Sequence, residues 1–295
     1  MKNWIKVFPI LLLVAGCTKP TVENEDYILH DEHFNMYWYD GLAEINTYQL
    51  QQARYGEFRK GTAVMIFVTE PFSTQNFTKA DTESDKNTTV LKLNMTKNFI
   101  TGVYPYSLMT SVFTPVDQPN QHAIKISNST QEWCGQTYME MIREGDFDIS
   151  VQSYFEGESK EHHHEEIGHL EDDIWNQIRL QSEELPTGEF KMIPSFNYLR
   201  LHHKKLDAYA CNGTKSEKNE VVHYELFYPD LNRKLKIVFE ASFPHKIIEW
   251  TESIDANNNG NFDIESKATL MESIKLDYWN KKSVADTTYR DSLNL

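Results

Sequence analysis

The chain has 295 residues, with 29 Lys and Arg against 44 Asp and Glu and a formal net charge of −15. That negative excess argues against nucleic-acid backbones and anionic lipid head groups as partners, because like charges repel over a Debye length. The length suffices for one large domain or two smaller ones, and 15 Tyr, 16 Phe and 6 Trp beside 12 Gly suit broad pleated surfaces better than helix bundles.

The first segment reads as an export signal with a lipid-attachment box. Lys2 and Lys6 form a basic start, Val7 to Val14 an apolar run, and Ala15-Gly16 bring small residues up to Cys17. The apolar run is far short of the roughly 20 residues that span a bilayer, so it is not a transmembrane helix. A small pair before cysteine lets a peptidase approach the backbone, and the lipidated Cys17 then becomes the first residue of the mature protein. This pattern resembles the lipobox of bacterial lipoproteins. It implies a signal peptide over 1–16, a palmitate-type acyl anchor on Cys17, and a membrane, expected to be the outer one, as partner through that lipid. Two or more acyl chains give stable anchoring where one is marginal. Residues 17–33 are polar and acidic with no apolar periodicity and read as a tether. Glu23, Glu25 and Asp26 begin several residues after Cys17, which leaves the face of the membrane open.

Folded structure is expected from Phe34 onward, with a dominant period of two. Ala63, Met65 and Phe67 alternate with Val64, Ile66 and Val68 as a strand buried on both faces. Leu91, Leu93 and Met95 alternate with polar residues as a half-buried strand. Ile124 and Ile126, then Phe147, Ile149 and Val151, repeat the pattern between Gly and Pro turns. One segment departs from it. Ile167, Leu170, Ile174, Trp175, Ile178 and Leu180 have helical spacing, so an amphipathic helix packed on the sheet is predicted over about 163–182 and ended by Pro186 and Gly188. The period of two then returns at Leu199 and Leu201 and through Val222, Tyr224 and Leu226. A turn at Pro229 to Asn232 leads into Leu235, Ile237 and Phe239. Without an internal repeat, the expected fold is mainly β: an antiparallel curved sheet or partly closed barrel with one amphipathic helix. It forms a single domain over 34–282, or two β halves split by the helix, followed by a polar tail over 283–295.

Several residue groups are candidates for chemistry. With Cys17 lipidated, Cys134 and Cys211 remain, and an oxidising compartment allows a disulfide between them or two separate thiols. The loop Asp255 to Glu265 resembles the start of an EF-hand-like calcium loop. Asp255, Asn257, Asn259, Asn261 and Asp263 would supply oxygens around Gly260, with Ser266 where a bidentate glutamate belongs. Calcium is the one cofactor candidate. His162, His163, His164 and His169 lie among carboxylates, but His164 and His169 are five apart, which differs from the spacing that puts two zinc ligands on one helix face. His202-His203-Lys204-Lys205 reads as a basic turn. The adjacent acids Asp172-Asp173, Glu165-Glu166 and Glu183-Glu184 read as solvated charges, because neighbouring positions diverge on a helix. No phosphate loop or nucleophile elbow is present in the sequence.

A wider resemblance rests on Tyr37 to Ile45, Gln52 to Glu57, Gly102 to Ser111 and Gln131 to Gly135. It continues through Ser153 to Glu158, Leu185 to Gly188 and Arg290 to Leu293. Along these stretches the chain resembles flavobacterial-type lipoproteins of unknown function, which often carry the label "septum formation inhibitor Maf". The Ser-x-Arg-Arg type motif of true Maf pyrophosphatases is not among them, so that label is read as a misnomer and no catalytic residue is carried over. The resemblance implies a fold and an address. Arg54, Glu57, Glu132 and Trp133, in aromatic-rich runs, are candidates for a polar cleft. The expected function is a non-catalytic envelope protein that binds an apolar ligand or a protein partner. The alternative is an envelope hydrolase or metal-assisted enzyme with a site assembled from separate strands.

Overall fold

Side chains at every second position turn the same way, so each strand of this chain carries one apolar face and must bury it. A computed structural model describes residues 32–117, 122–158, 161–165 and 168–295. The lipid-attachment segment and the tether up to residue 31 lie outside the described residues. Among those described, the N-terminal half holds α1 (Glu32–Trp38), β1 (Ala43–Arg54), β2 (Glu57–Ser73), β3 (Thr78–Lys79), β4 (Asn87–Thr101), β5 (Tyr104–Pro115), β6 (Lys125–Glu132), β7 (Gly135–Glu144), β8 (Asp146–Ser153) and β9 (Glu161–Glu165). The rest holds β10 (His169–Leu170), α2 (Glu171–Gln181), β11 (Gly188–Ile193), α3 (Phe196–Leu201), β12 (Tyr209–Lys218), β13 (Val221–Tyr228), β14 (Arg233–Glu240), β15 (Ile247–Ile254), β16 (Ile264–Leu276) and α4 (Thr288–Ser292).

The strands form one sheet, curved and not closed, as the alternation predicts. Its order is β10 to β16 in sequence, then β1, β2 and β4 to β9, with β3 beside β2. Every neighbour pair is antiparallel except β10 with β11. The two halves meet where β1 pairs with β16, from Ala43 opposite Leu276 to Gln51 opposite Lys267. The edge strands β9 and β10 are nearly consecutive in the chain.

The concave face is filled by α2 and α3. Leu91, Leu93, Met95, Ala63, Met65 and Phe67 point into it and are buried. Val64, Ile66 and Val68, on the opposite face, are only half-buried, so this strand is covered on one side rather than both. Polar partners of α2 lie on β1, β5, β13 and β14, and Trp175 of α2 packs on Trp250 of β15. One helix reaches strands so far apart in the sheet only because the sheet curls around it.

Four sequence expectations change here. The helix is shorter than 163–182: it spans Glu171–Gln181, and the His-rich run before it is the edge strand β9, where His162 and His164 face Asp148 and Asp146 of β8. The helix is also enclosed rather than amphipathic, with every residue from Glu171 to Arg179 buried. The period was misread because polar side chains with partners in the core interrupt the apolar stripe. Leu199 and Leu201 belong to α3 rather than to a strand. Ser195 caps α3 by accepting from the backbone N–H of Tyr198 at 3.2 Å. The segment after 283 is not only a polar tail, since it forms α4 and buries Leu293.

Candidate functional site

The enclosed helix carries charge into the core, and each charge is met. At its C-terminal end Arg179 donates to both oxygens of Glu44 on β1 at 2.7 Å, with neither side chain exposed. Tyr37 donates to the same carboxylate, and Asn46 donates to it at 2.5 Å. Burial works to raise the Glu44 carboxyl, but the guanidinium overrides it and leaves the group at about 2. At the N-terminal end Glu171 accepts from Arg233 of β14 at 2.5 and 2.7 Å and from Tyr228 at 2.7 Å. Arg233 also donates to Glu252 of β15 at 2.5 and 3.0 Å. The two ion pairs thus pin opposite ends of α2 to two different strands, β1 and β14, with β15 and β16 between them.

Asp172 and Asp173, expected in solvent, are buried in the same core. Asp173 accepts from Thr114 at 2.8 Å and from Gln177 at 2.8 Å, with His122 at 3.3 Å. Asp172 accepts from the N–H of Phe196 at 2.9 Å, and burial pushes its carboxyl up to about 7. Lys97, which points inward from β4 over the Trp250 ring, has its ammonium pKa lowered by burial, against the pull of Glu252. Lys97, Asp172, Glu171, Arg233 and Glu252 surround a cavity of about 20 Å³, room for about one water. This is a charge-pairing core with no space for an organic substrate.

A larger cavity of about 220 Å³ lies beside α3. Met139, Val151, Leu199 and Leu206 give it an apolar floor, and Arg200, Lys204 and Lys205 bring cations to its edge beside His203. The acids at its rim are already engaged: Glu158 meets His203 at 2.5 Å and accepts from Ser153 at 3.3 Å, and Glu161 meets His163 at 2.9 Å. Arg200 is buried and lies over the Phe155 ring at 4.2 Å. Its Nη2 stands 3.6 Å from Glu132, while Nε and Nη1 are buried without a hydrogen-bond partner.

The candidate cleft residues divide between two roles. Arg54 donates to the carbonyl of Leu201 and to Tyr106, and Glu132 approaches Arg200, so both hold the C-terminal end of α3 from different strands. Glu57 pairs with Arg59 at the β1–β2 tip, and Trp133 is 70% exposed at the β6–β7 tip. They do not join a cleft with the first two. Sequence reasoning missed Arg200. The signal that points to it is Pro194-Ser195, a helix start of the Ser-cap kind, which turns the residues after it inward at helical spacing.

The cysteines do not pair. Both are free: Cys134 is exposed beside Trp133, and Cys211 is buried on β12, where burial pushes its thiol up to about 12. A hydrogen bond with Glu132 raises the Cys134 thiol as well, so neither is an activated nucleophile. In the 255–265 loop, the Asp255 carboxylate accepts from the backbone N–H groups of Asn257, Asn259 and Gly260 at 3.2, 3.2 and 2.7 Å. Asn257 donates to Asp263 at 3.0 Å, and the N–H of Asn261 donates to the Asn259 side chain at 2.8 Å. These bonds shape the hairpin tip from the loop's own oxygens. Among the described residues no three His, Cys, Asp or Glu side chains converge as metal ligands.

The fold and cavity define a curled, open antiparallel sheet around two internal helices, with a ligand-sized recess beside α3. Comparison with protein-family models, with characterised proteins and with solved structures finds no match.

Proposed function

We propose that this is a cell-envelope protein, anchored by lipid on Cys17, that binds a small ligand without transforming it. The observation that carries the binding reading is the recess beside α3, which has about 220 Å³ and an apolar floor of Met139, Val151, Leu199 and Leu206, whereas the recess around Lys97 and Asp172 has room for about one water. A lipid anchor suits the short, uncharged run before Cys17 and would keep the sheet close to a membrane. Incorporation of a clickable palmitate analogue in the expressing bacterium, lost in Cys17→Ser, tests the anchor. Native mass spectrometry of the detergent-solubilised chain tests the recess: a co-purifying small molecule absent from Val151→Phe supports it. A chain that carries nothing and takes up no apolar probe removes it.

The enzyme alternative draws on one observation, the adjacent Lys97 and Asp172, whose proton affinities are both moved toward their neutral forms. Esterase and phosphatase activity in the purified full chain, abolished by Lys97→Met at unchanged thermal stability, would establish it in place of binding.

A further inference from the structure

The buried arginines among the described residues are Arg179, Arg200 and Arg233. Arg179 and Arg233 each meet a carboxylate through two short hydrogen bonds. Arg200 does not. Its nearest acid, Glu132, is beyond hydrogen-bond distance at 3.6 Å, and two of its nitrogens have no partner. A guanidinium taken out of water and left short of acceptors is costly, and native proteins keep such groups where something else completes them. Arg200 is also the buried arginine that borders the α3 cavity; its Nε and Nη1 have no surface open to it in this conformation, so a carboxylate reaches them by a turn of the side chain toward the recess.

We propose that the cavity beside α3 binds a small monocarboxylate, with its head group on Arg200 and its apolar body against Met139, Val151, Leu199 and Leu206. This rests on reading the cavity as a ligand site. Three features select that class. The first is charge: on a molecule of net charge −15, Arg200 and Lys204 border this recess, with Lys205 drawn to Asp207 at 3.4 Å, while Glu158 and Glu161 are engaged by histidines. The second is size: about 220 Å³ exceeds the roughly 150 Å³ that encloses benzene and falls below the roughly 300 Å³ at which drug-sized pockets begin. The third is polarity: one buried guanidinium above an apolar floor matches a single carboxylate on a short chain.

Isothermal titration of the detergent-solubilised full chain with hexanoate, hexanamide and inorganic phosphate tests this. Hexanoate is expected to bind at least about tenfold more tightly than hexanamide, a gap of about 1.4 kcal/mol, and Arg200→Gln is expected to abolish that preference. Equal binding of hexanoate and hexanamide overturns the carboxylate assignment and leaves the cavity standing as an apolar site. Displacement of hexanoate by phosphate overturns it in favour of a general oxyanion site. Binding of neither organic probe overturns the cavity reading itself. Should Arg200→Gln fail to fold, Val151→Phe fills the floor away from the guanidinium. Loss of hexanoate binding there supports the placement, and undiminished binding overturns it.

Discussion

Arg179 and Glu44 are both fully buried, so the cost of separating them falls on whichever charge is left behind. Arg179→Met is expected to lower stability by about 3–5 kcal/mol, read as a shift in the urea midpoint, and adding Glu44→Gln should recover part of the loss. Glu44 is held at about 2, below its ordinary 4.5, so its contribution is full above 4.5 and lost as pH falls toward 2. That acid-side slope should be missing in the double variant. Asp172 has the opposite sign. Its carboxyl is raised from 3.8 to about 7, so the folded chain favours the protonated form, and the penalty for the charged form grows between those values and then levels off. Asp172→Asn keeps an acceptor for the Phe196 N–H and should gain stability over the wild type progressively from pH 4 to pH 8. A midpoint difference that stays flat over that range would refute the assignment. None of this was legible in the sequence. Adjacent acids on a helix read as solvated unless the partner is known, and Arg233 lies 62 positions from Glu171.

At the scale of elements, strand spacing decides what fits. A Cβ added at Gly61 of β2 would lie 2.2 Å from the backbone oxygen of Asn98 and 2.9 Å from Cβ of Phe99, both on β4. Backbone cannot yield there without parting the longest strands of the sheet. Gly61→Ala should therefore destabilise by about 1–3 kcal/mol, visible in the thermal midpoint. The strands themselves were largely readable, because a period of two survives wherever one face is buried. The helices were less so. A six-residue helix such as α3 is too short for a periodic signature, and its Leu199 and Leu201 fit a strand equally well. Arg54 and Glu132 stand out in the sequence, with Glu57 and Trp133, as candidates in aromatic-rich runs. That their shared target is α3 depends on contacts between segments far apart in the chain, beyond the reach of local pattern.

For the whole molecule, enclosure of α2 makes a prediction about motion. A helix of 11 residues would ordinarily exchange its amide protons quickly. Here the amides of Ile174 to Arg179 should open only with the entire fold and be among the slowest in hydrogen–deuterium exchange, while those of the exposed α4 exchange early. Comparable rates in α2 and α4 would show that the sheet does not clasp the helix. Fold class was legible because alternation and turn spacing specify a large antiparallel sheet. The seam was not, since nothing local announces that β1 pairs with β16. That seam sets the register of Ala43 against Leu276 and joins the first and last strands of the chain in the middle of the array. Followed through space from β11, the strands run in chain order to β16, step to β1, and continue in order to β9. The architecture is therefore a plain meander whose starting point has been moved to its middle. A chain recut between 165 and 168, with its present ends joined by a flexible linker, should fold to the same sheet with every neighbour in sequence also a neighbour in space. Its refolding should be faster than that of the native order, because the longest loop closure, the one that brings β16 back to β1, becomes a local turn.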